Sequence, residues 1–310
     1  MNPDARRGVL YGIGAYGLWG VFPLYFRLLE RSGALEVVVH RVLWSLLVCL
    51  AVVAAVRGWA ELRAVLAVPR QVVTLGVGAV LLAVNWGVYI YAVNSGQVIE
   101  ASLGYYINPL VTVLLGVVVL RERLRRLQWV AVGVGTAAVG VLTAAYGRPP
   151  FIALTLAASF GLYGLIKNRV GATVGAVTSL TTETLVLAPP AAAMLVWLEV
   201  RGDGHFTDNP PWQALLLVSV GVATVVPLLF FAAAARRIPL STVGLLQYLT
   251  PTLQLLCGVL LLGENMSPAR WAGFGLVWVA LVVLTLDTLR AASHRRTAAR
   301  AAVTEPVGAA

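Results

Sequence analysis

Ten stretches of consecutive apolar residues divide the chain, and short polar or basic segments separate them. Each stretch is close to the roughly 20 residues that an α-helix needs to cross a bilayer. The predicted spans are 9–28, 35–56, 72–94, 101–120, 128–146, 150–167, 176–198, 213–235, 241–262 and 269–289. The pattern predicts an all-α integral membrane protein with ten transmembrane helices.

The chain also contains an internal repeat. When the sequence is shifted by 142 positions, 12 of the 35 residues from Pro109 to Thr143 are identical to their counterparts. The matched pairs include Pro109 with Pro251, Gly116 with Gly258, Glu122 with Glu264, Trp129 with Trp271 and Gly133 with Gly275. Such a match indicates a duplicated unit. We predict repeats at 1–148 and 149–289, followed by a basic cytoplasmic tail at 290–310 that is disordered.

Each predicted repeat holds five spans, which is an odd number, so the second repeat must enter the membrane in the opposite direction to the first. Inverted repeats are typical of secondary transporters, whose substrate site lies near the bilayer midplane between the two halves. The count therefore predicts two inverted five-helix repeats around a central cavity.

Composition and charge support a membrane location and an orientation. Apolar residues make up 59% of the chain and charged residues 12%, against about 25% charged residues in soluble domains. Seventeen of the 23 Lys and Arg residues fall in segments on one side of the predicted membrane, if the amino terminus is inside. Basic residues accumulate on the cytoplasmic side, so we predict a multi-pass inner-membrane protein with both termini in the cytoplasm. The net charge of +10 then reflects topology and anionic lipid, and no nucleic-acid partner is expected.

The first half places polar and aromatic side chains inside its spans. A charged residue this close to an apolar run is costly unless it is paired or faces water, so we predict that Arg41 faces the cavity and attracts an anionic or carboxylate-bearing group. Snorkelling to the outer interface is the alternative for Arg41, and helix packing or interhelical hydrogen bonding is the alternative for the others. The substrate-binding candidates of this half are Trp19, Tyr25, His40, Arg41, Trp44, Asn85, Tyr89, Tyr105 and Asn108.

In the second half, Glu183 is the one carboxylate well inside a predicted span. Ionisable residues at such positions are candidate proton carriers, so we predict Glu183 as a coupling residue; a hydrogen-bonded carboxyl group facing Thr181 or a neighbouring helix is the alternative. The substrate-binding candidates of this half are Tyr163, Gln247 and Tyr248. Prolines predicted to break helices near the site are Pro23, Pro109, Pro227 and Pro251.

These residues lie in segments that resemble the RarD family of EamA-type permeases, within the drug/metabolite transporter superfamily. The segments are GLWG at 17–20, PLY at 23–25, HR at 40–41, WS at 44–45, NW at 85–86, EASLGYYINP at 100–109, ETL at 183–185 and PLSTVGLLQY at 239–248. The resemblance covers residues from about 8 to 289. It implies a ten-helix inner-membrane carrier with two inverted EamA repeats, from a family named for a link to chloramphenicol sensitivity.

The favoured function is secondary active transport of a small metabolite or drug by alternating access, with protons as the candidate coupling ion. A lipid or glycolipid flippase is the first alternative, and a membrane-embedded enzyme acting on a lipid intermediate is the second. The sequence has no phosphate-binding GxxxxGK[ST] motif and no clustered His or Cys, so we expect no metal and no cofactor. The pattern leaves the oligomeric state open.

Overall fold

The structure is a computed structural model that describes residues 3–121, 123–170, 174–206 and 210–304. Glu122, one member of the matched acidic pair of the repeat, lies outside the described residues. In chain order the helices are α1 (Pro3–Arg27), α2 (Gly33–Ala55), α3 (Trp59–Leu66), α4 (Pro69–Asn94), α5 (Val98–Leu120), α6 (Arg126–Tyr146), α7 (Phe151–Val170), α8 (Ala176–Arg201), α9 (Pro211–Ala235), α10 (Leu240–Leu246), α11 (Leu249–Leu256) and α12 (Pro268–Thr304). A 3₁₀ turn precedes α2 at Glu30–Ser32, and a π-helical turn follows α11 at Cys257–Leu261.

The membrane-spanning architecture is confirmed. Within the described residues, nine helical segments are long and apolar enough to cross a membrane, and the apolar part of α7, Phe151–Lys167, is a shorter tenth segment. The predicted span 241–262 is divided between α10, α11 and the π turn. The short helix α3 was not predicted, because its eight residues are too few to produce a transmembrane signal.

The repeat seen in the sequence recurs in the helices. A shift of 142 residues carries the first residue of α4, Pro69, to the first residue of α9, Pro211. The same shift carries Arg126 at the start of α6 to Pro268 at the start of α12. Five spans in each repeat reverse the direction in which the second repeat enters the membrane.

By their contacts, the helices form two compact units that each draw on both repeats. Unit 1 comprises Met1–Thr112 and Phe151–Met266, and unit 2 comprises Val113–Pro150 and Ser267–Ala310. In unit 1, α1 packs against α9 and α11, α2 packs against α8 and α9, and α4 packs against α7 and α8. Exchanging the two repeats converts the α1–α9 pair into the α7–α4 pair, so unit 1 has an internal pseudo-twofold arrangement.

A glycine sets the close approach of α2 and α9. A Cβ atom added to Gly221 would lie 2.5 Å from the backbone carbonyl carbon of Trp44. Real Cβ atoms do not approach backbone so closely, so only glycine allows these two helices to meet at this distance. Thr224, less than one turn further along α9, is thereby held against α2.

Unit 2 contains α6 packed against α12. The guanidinium of Arg125, at the start of α6, lies 2.5 Å from a carboxylate oxygen of Asp287 in α12. The α12 helix continues to Thr304, beyond the predicted start of the basic tail at residue 290. The tail is rich in alanine and arginine, which have high helix propensity, and it follows directly from an existing helix, so no new nucleation is needed.

Carboxylates from distant segments cap two helices of unit 1. The two carboxylate oxygens of Glu264 accept hydrogen bonds from the backbone N–H groups of Val98, at 2.6 Å, and Ile99, at 2.9 Å. Glu100 accepts a hydrogen bond from the backbone N–H of Ile152 at 3.0 Å, near the start of α7. Free N–H groups and the helix dipole make such termini favourable positions for an anion. These acidic residues thus stabilise helix starts, although Glu100 acts on α7 as well as lying at the start of its own helix.

The prediction that four prolines break helices is wrong in most places. The helices α1, α5 and α9 continue through Pro23, Pro109 and Pro227. A proline removes one hydrogen bond, and in a packed membrane helix neighbouring elements compensate for that loss. An interruption does occur at Gln247 and Tyr248, between α10 and α11. Pro251 follows Gln247 by four residues, so its missing N–H removes the helical hydrogen bond to the Gln247 carbonyl at this interruption.

Candidate functional site

Unit 1 contains a cavity of about 390 Å³. Residues from α1, α2, α4, α5, α7, α8, α9 and α11 line it, together with Gln247 between α10 and α11. Nine of the lining side chains are aromatic: Tyr16, Trp19, Phe22, Trp86, Tyr89, Tyr105, Phe160, Tyr163 and Phe231. Apolar and aromatic walls with a few placed polar groups are typical of small-molecule sites.

Arg41 is the buried cation of this cavity. Its residue is 5% exposed, and its guanidinium carbon lies 4.0 Å from the centroid of the Trp86 ring. Its Nε donates a hydrogen bond to the hydroxyl of Thr224 at 3.0 Å. No carboxylate forms an ion pair with Arg41 in the part of the chain that the structure describes. A buried charge normally requires an opposite charge, so Arg41 presents a positive group that the aromatic face balances only in part.

Asn85 joins three helices at the cavity wall. Its Nδ2 donates hydrogen bonds to the carbonyl oxygen of Leu156, at 3.0 Å, and to the hydroxyl of Ser159, at 3.1 Å. Its Oδ1 accepts a hydrogen bond from the hydroxyl of Tyr105 at 3.2 Å. These bonds link α4 to α5 and α7, so Asn85 has a structural role even though it lines the cavity.

Three other polar atoms in the lining have no hydrogen-bond partner among the described residues. They are the Tyr89 hydroxyl, Nδ2 of Asn108 and Oε1 of Gln254. All three side chains belong to buried residues, and a buried polar group without a partner is costly. Together with Arg41, these atoms provide donors and an acceptor for a polar ligand.

A second charged group of the lining is Lys167. Its Nζ lies 2.7 Å from Oε1 of Glu183 and contacts the hydroxyl of Ser179. The Tyr163 hydroxyl donates a hydrogen bond to the other carboxylate oxygen of Glu183 at 3.1 Å. Lys167 and Tyr163 line the cavity, whereas Glu183 is 1% exposed and lies behind them.

The structure brings nine of the residues named from the sequence to this cavity: Trp19, Arg41, Asn85, Tyr89, Tyr105, Asn108, Tyr163, Gln247 and Pro251. The described lining does not include Tyr25, whose hydroxyl donates to the carbonyl oxygen of Leu216 at 2.7 Å and contacts the Ser219 hydroxyl at 2.8 Å. Nor does it include Tyr248, which lies in the turn between α10 and α11.

His40 and Trp44 belong to a separate cluster. Trp44 Nε1 donates a hydrogen bond to His40 Nδ1 at 3.1 Å, and the His40 ring stacks on Phe206 with centroids 4.8 Å apart. The neighbouring Glu36 accepts a hydrogen bond from the backbone N–H of His205 at 2.8 Å. This cluster connects α2 to the segment between α8 and α9. His40 and Trp44, both predicted to bind substrate, therefore have structural contacts here that involve no ligand.

Lys167 and Thr224 are two polar cavity residues that were not predicted as site residues from the sequence. Lys167 reads in the sequence as the polar end of a span, and Thr224 as an ordinary hydroxyl residue within one. The position of Lys167 between two predicted spans could have indicated its role. It lies in the last turn of α7, and the chain then turns back into α8, which brings Lys167 beside Glu183.

Comparison with known proteins agrees with this architecture. The model of the EamA-like transporter family matches residues 6–144 and 149–286. Protein RarD of Streptomyces exfoliatus is 50% identical over 299 residues, which cover 96% of this chain and 94% of the relative. Protein RarD of Escherichia coli (strain K12) is 41% identical over 294 residues, covering 95% and 98% respectively. A solved crystal structure with 22% identity has a TM-score of 0.57 and covers 90% of this chain and 97% of its own, which is a likeness of fold.

Proposed function

The chain belongs to the EamA-like transporter family, and we propose that it is a secondary active transporter that moves a small organic anion across the cytoplasmic membrane by alternating access. Its multiple membrane spans and its relatives make it a membrane transporter of the drug/metabolite type. The substrate, the coupling ion and the transport cycle are the proposed part.

The observation that carries the proposal is the buried Arg41 without a carboxylate partner among the described residues. A guanidinium has a planar arrangement of donors that matches a carboxylate. Thr224 accepts one hydrogen bond from Arg41, and Trp86 balances its charge only in part. In a site with little water, an anionic group would neutralise the Arg41 guanidinium and accept its remaining hydrogen bonds. The unpartnered atoms of Tyr89, Asn108 and Gln254 provide contacts for further polar groups of the substrate.

The size and lining of the cavity favour a carrier over the two alternatives. A volume of about 390 Å³ lies near the lower end of the roughly 300–1,000 Å³ of ligand pockets, which suits a metabolite better than a lipid. Catalysis would require an acid and a base that converge on one atom. The titratable groups of the described lining are Arg41, Lys167, Cys49 and several tyrosines, which supports binding more than chemistry.

Proton coupling through Glu183 is the finer part of the proposal. Lys167 and Tyr163 both contact the Glu183 carboxylate, so a proton would reach it when these two side chains move away. Proton uptake would then be linked to a rearrangement of the cavity wall. Proteoliposomes with a trapped pH indicator test this link: substrate addition should move protons with wild-type protein and not with Glu183→Gln. Equal proton movement by that variant would remove Glu183 from the coupling role.

The proposed orientation places both termini in the cytoplasm, as the distribution of basic residues indicates. A green fluorescent protein fused to the carboxyl terminus should be fluorescent, because it folds in the cytoplasm and not after export. A periplasmic alkaline phosphatase fused at the same position should be inactive. Active phosphatase would reverse the orientation.

The experiment that tests the transport proposal begins with a thermal-shift screen of metabolites and antibiotics, since a ligand of the native state raises its apparent stability. Uptake of each hit is then measured in proteoliposomes. Arg41→Ala should abolish uptake while the protein remains inserted and folded. The matched control is Arg201→Ala, which removes the same charge from an exposed residue at the end of α8 and should leave uptake unchanged. Normal uptake by Arg41→Ala would overturn the anion proposal.

A further inference from the structure

We infer that the Lys167–Glu183 ion pair sets the charge class of the substrate, so that the cavity accepts ring-bearing organic ions with a single negative charge. This inference rests on the proposed transport function and goes beyond it, because Arg41 alone does not distinguish one negative charge from two, or an organic acid from a zwitterionic amino acid.

The first step is the geometry of the pair. Lys167 is part of the cavity wall, and its side chain is 28% exposed, whereas the Glu183 side chain is 1% exposed. The ammonium and carboxylate are 2.7 Å apart. Tyr163 holds the second carboxylate oxygen at 3.1 Å. The carboxylate is therefore fixed behind the lysine and neutralises it from the side opposite the cavity.

The second step is the charge of the lining. Two cationic side chains, Arg41 and Lys167, occur in the described lining, and no carboxylate does. Because Glu183 neutralises Lys167, the cavity presents one uncompensated positive charge, at Arg41. Burying an ion without a partner is costly. A second carboxylate on a ligand would lack a free cation, and an ammonium group would lack a free anion.

The third step is the wall. The nine aromatic side chains and the volume of about 390 Å³ fit a small ring with a short side chain. Aromatic rings pack edge to face or offset against one another, and the existing pairs, such as Tyr89 with Tyr105 at 5.8 Å, show this arrangement. The ligand class that satisfies both the wall and the charge is an aryl monocarboxylate without an amino group.

Three probes that share the 3-phenylpropanoate framework separate the charge classes. They are 3-phenylpropanoate with one negative charge, phenylalanine, which adds an amino group and is a zwitterion, and phenylsuccinate, which adds a second carboxylate and has two negative charges. Binding to the purified full chain in detergent is followed by tryptophan fluorescence, with Trp19 and Trp86 in the cavity as reporters. Wild-type protein should bind 3-phenylpropanoate at least tenfold more tightly than either of the other two. Tighter binding of phenylalanine or phenylsuccinate, or binding of none of the three, would overturn the inference.

Two variants test the role of the pair itself. Glu183→Gln keeps the shape of the side chain and frees Lys167, so the preference should move towards phenylsuccinate by at least tenfold. The double variant Lys167→Met/Glu183→Gln removes both charges and should return to the wild-type order. The double variant contains no unpaired buried ion, so it should fold even if Glu183→Gln does not, and its ligand preference can then still be measured. An unchanged order in Glu183→Gln, or a dianion preference in the double variant, would contradict the inference.

The failure of this inference can be told apart from failure of the proposed function. Uptake that depends on Arg41 while Glu183→Gln keeps the wild-type order of ligands leaves the transporter proposal in place and rejects the role of the pair. Uptake of an anion that persists in Arg41→Ala rejects both, because the single positive charge is then not where the ligand binds.

Discussion

The guanidinium carbon of Arg41 lies 4.0 Å from the centroid of the Trp86 ring, so the buried cation is stacked on an aromatic face. Such contacts contribute about 0.5–2 kcal/mol, and more when the cation is desolvated.

Trp86→Leu is therefore expected to weaken the binding of an anionic ligand by about two- to thirtyfold, which corresponds to the cation–π energy of about 0.5–2 kcal/mol. The measurement is a fluorescence or calorimetric titration of purified protein. Trp86→Phe, which keeps a ring, is the matched control and should lose less than Trp86→Leu. Equal losses in the two variants would show that the ring contributes only volume.

Gly221→Ala should destabilise the fold. Its Cβ would lie 2.5 Å from the backbone of Trp44, and backbone cannot move aside as a side chain can. Overpacking of this kind costs about 1–3 kcal/mol, which would appear as a lower thermal unfolding temperature in detergent. Gly17→Ala is the control, because nothing lies within 4 Å of its added Cβ. An unfolding temperature unchanged by Gly221→Ala would mean that α2 and α9 are further apart than described.

Glu264→Ala should lower stability by about 0.5–2 kcal/mol, as expected for the loss of a helix cap. The backbone N–H groups of Val98 and Ile99 would lose their acceptor at the start of α5. Glu30→Ala is the comparison, because Glu30 forms only an exposed ion pair with Arg27 at 3.1 Å, and such pairs contribute little. Thermal unfolding of both variants measures the two losses of stability. Equal losses would show that Glu264 does not stabilise the protein as a helix cap.

The ion pair of Arg125 and Asp287 should show strong coupling. The Asp287 side chain is 7% exposed and the Arg125 side chain 45% exposed, so removal of the arginine leaves a buried carboxylate without this partner. We expect Arg125→Ala to destabilise the protein more than the double variant Arg125→Ala/Asp287→Asn, by about 1–3 kcal/mol. Unfolding of the single and double variants measures the difference. Additive effects would contradict a buried pair.

The sequence was enough to predict the spans, because apolar runs of about 20 residues occur in few contexts other than a membrane. It also predicted Arg41, because a charged residue inside a span is costly unless it is paired or faces water. Four of the nine aromatic lining residues were predicted as well: Trp19, Tyr89, Tyr105 and Tyr163. The prediction for Tyr25 differs from the structure because the hydroxyl donates to the backbone carbonyl of Leu216, which is 191 positions away in the sequence.

Other features depend on contacts between segments that the sequence does not place together. Lys167 meets Glu183 because two helices fold back on each other. The close approach at Gly221 depends on which helix lies opposite. Helix breaks were predicted at prolines from an intrinsic preference, and tertiary packing overrides that preference in α1, α5 and α9.

The interruption between α10 and α11 has no counterpart in α5, although the two segments are related by the repeat. A carrier with identical halves would exchange its two access states at equal free energy, and its direction would depend only on solute gradients. Here the helical hydrogen-bonding pattern is interrupted at Gln247 and Tyr248 in one half and is continuous in the other. In the proposed alternating-access cycle, this difference would give the two access states unequal free energies. The proposed cycle would then favour one resting conformation of the empty carrier, and transport in the two directions would have different kinetics.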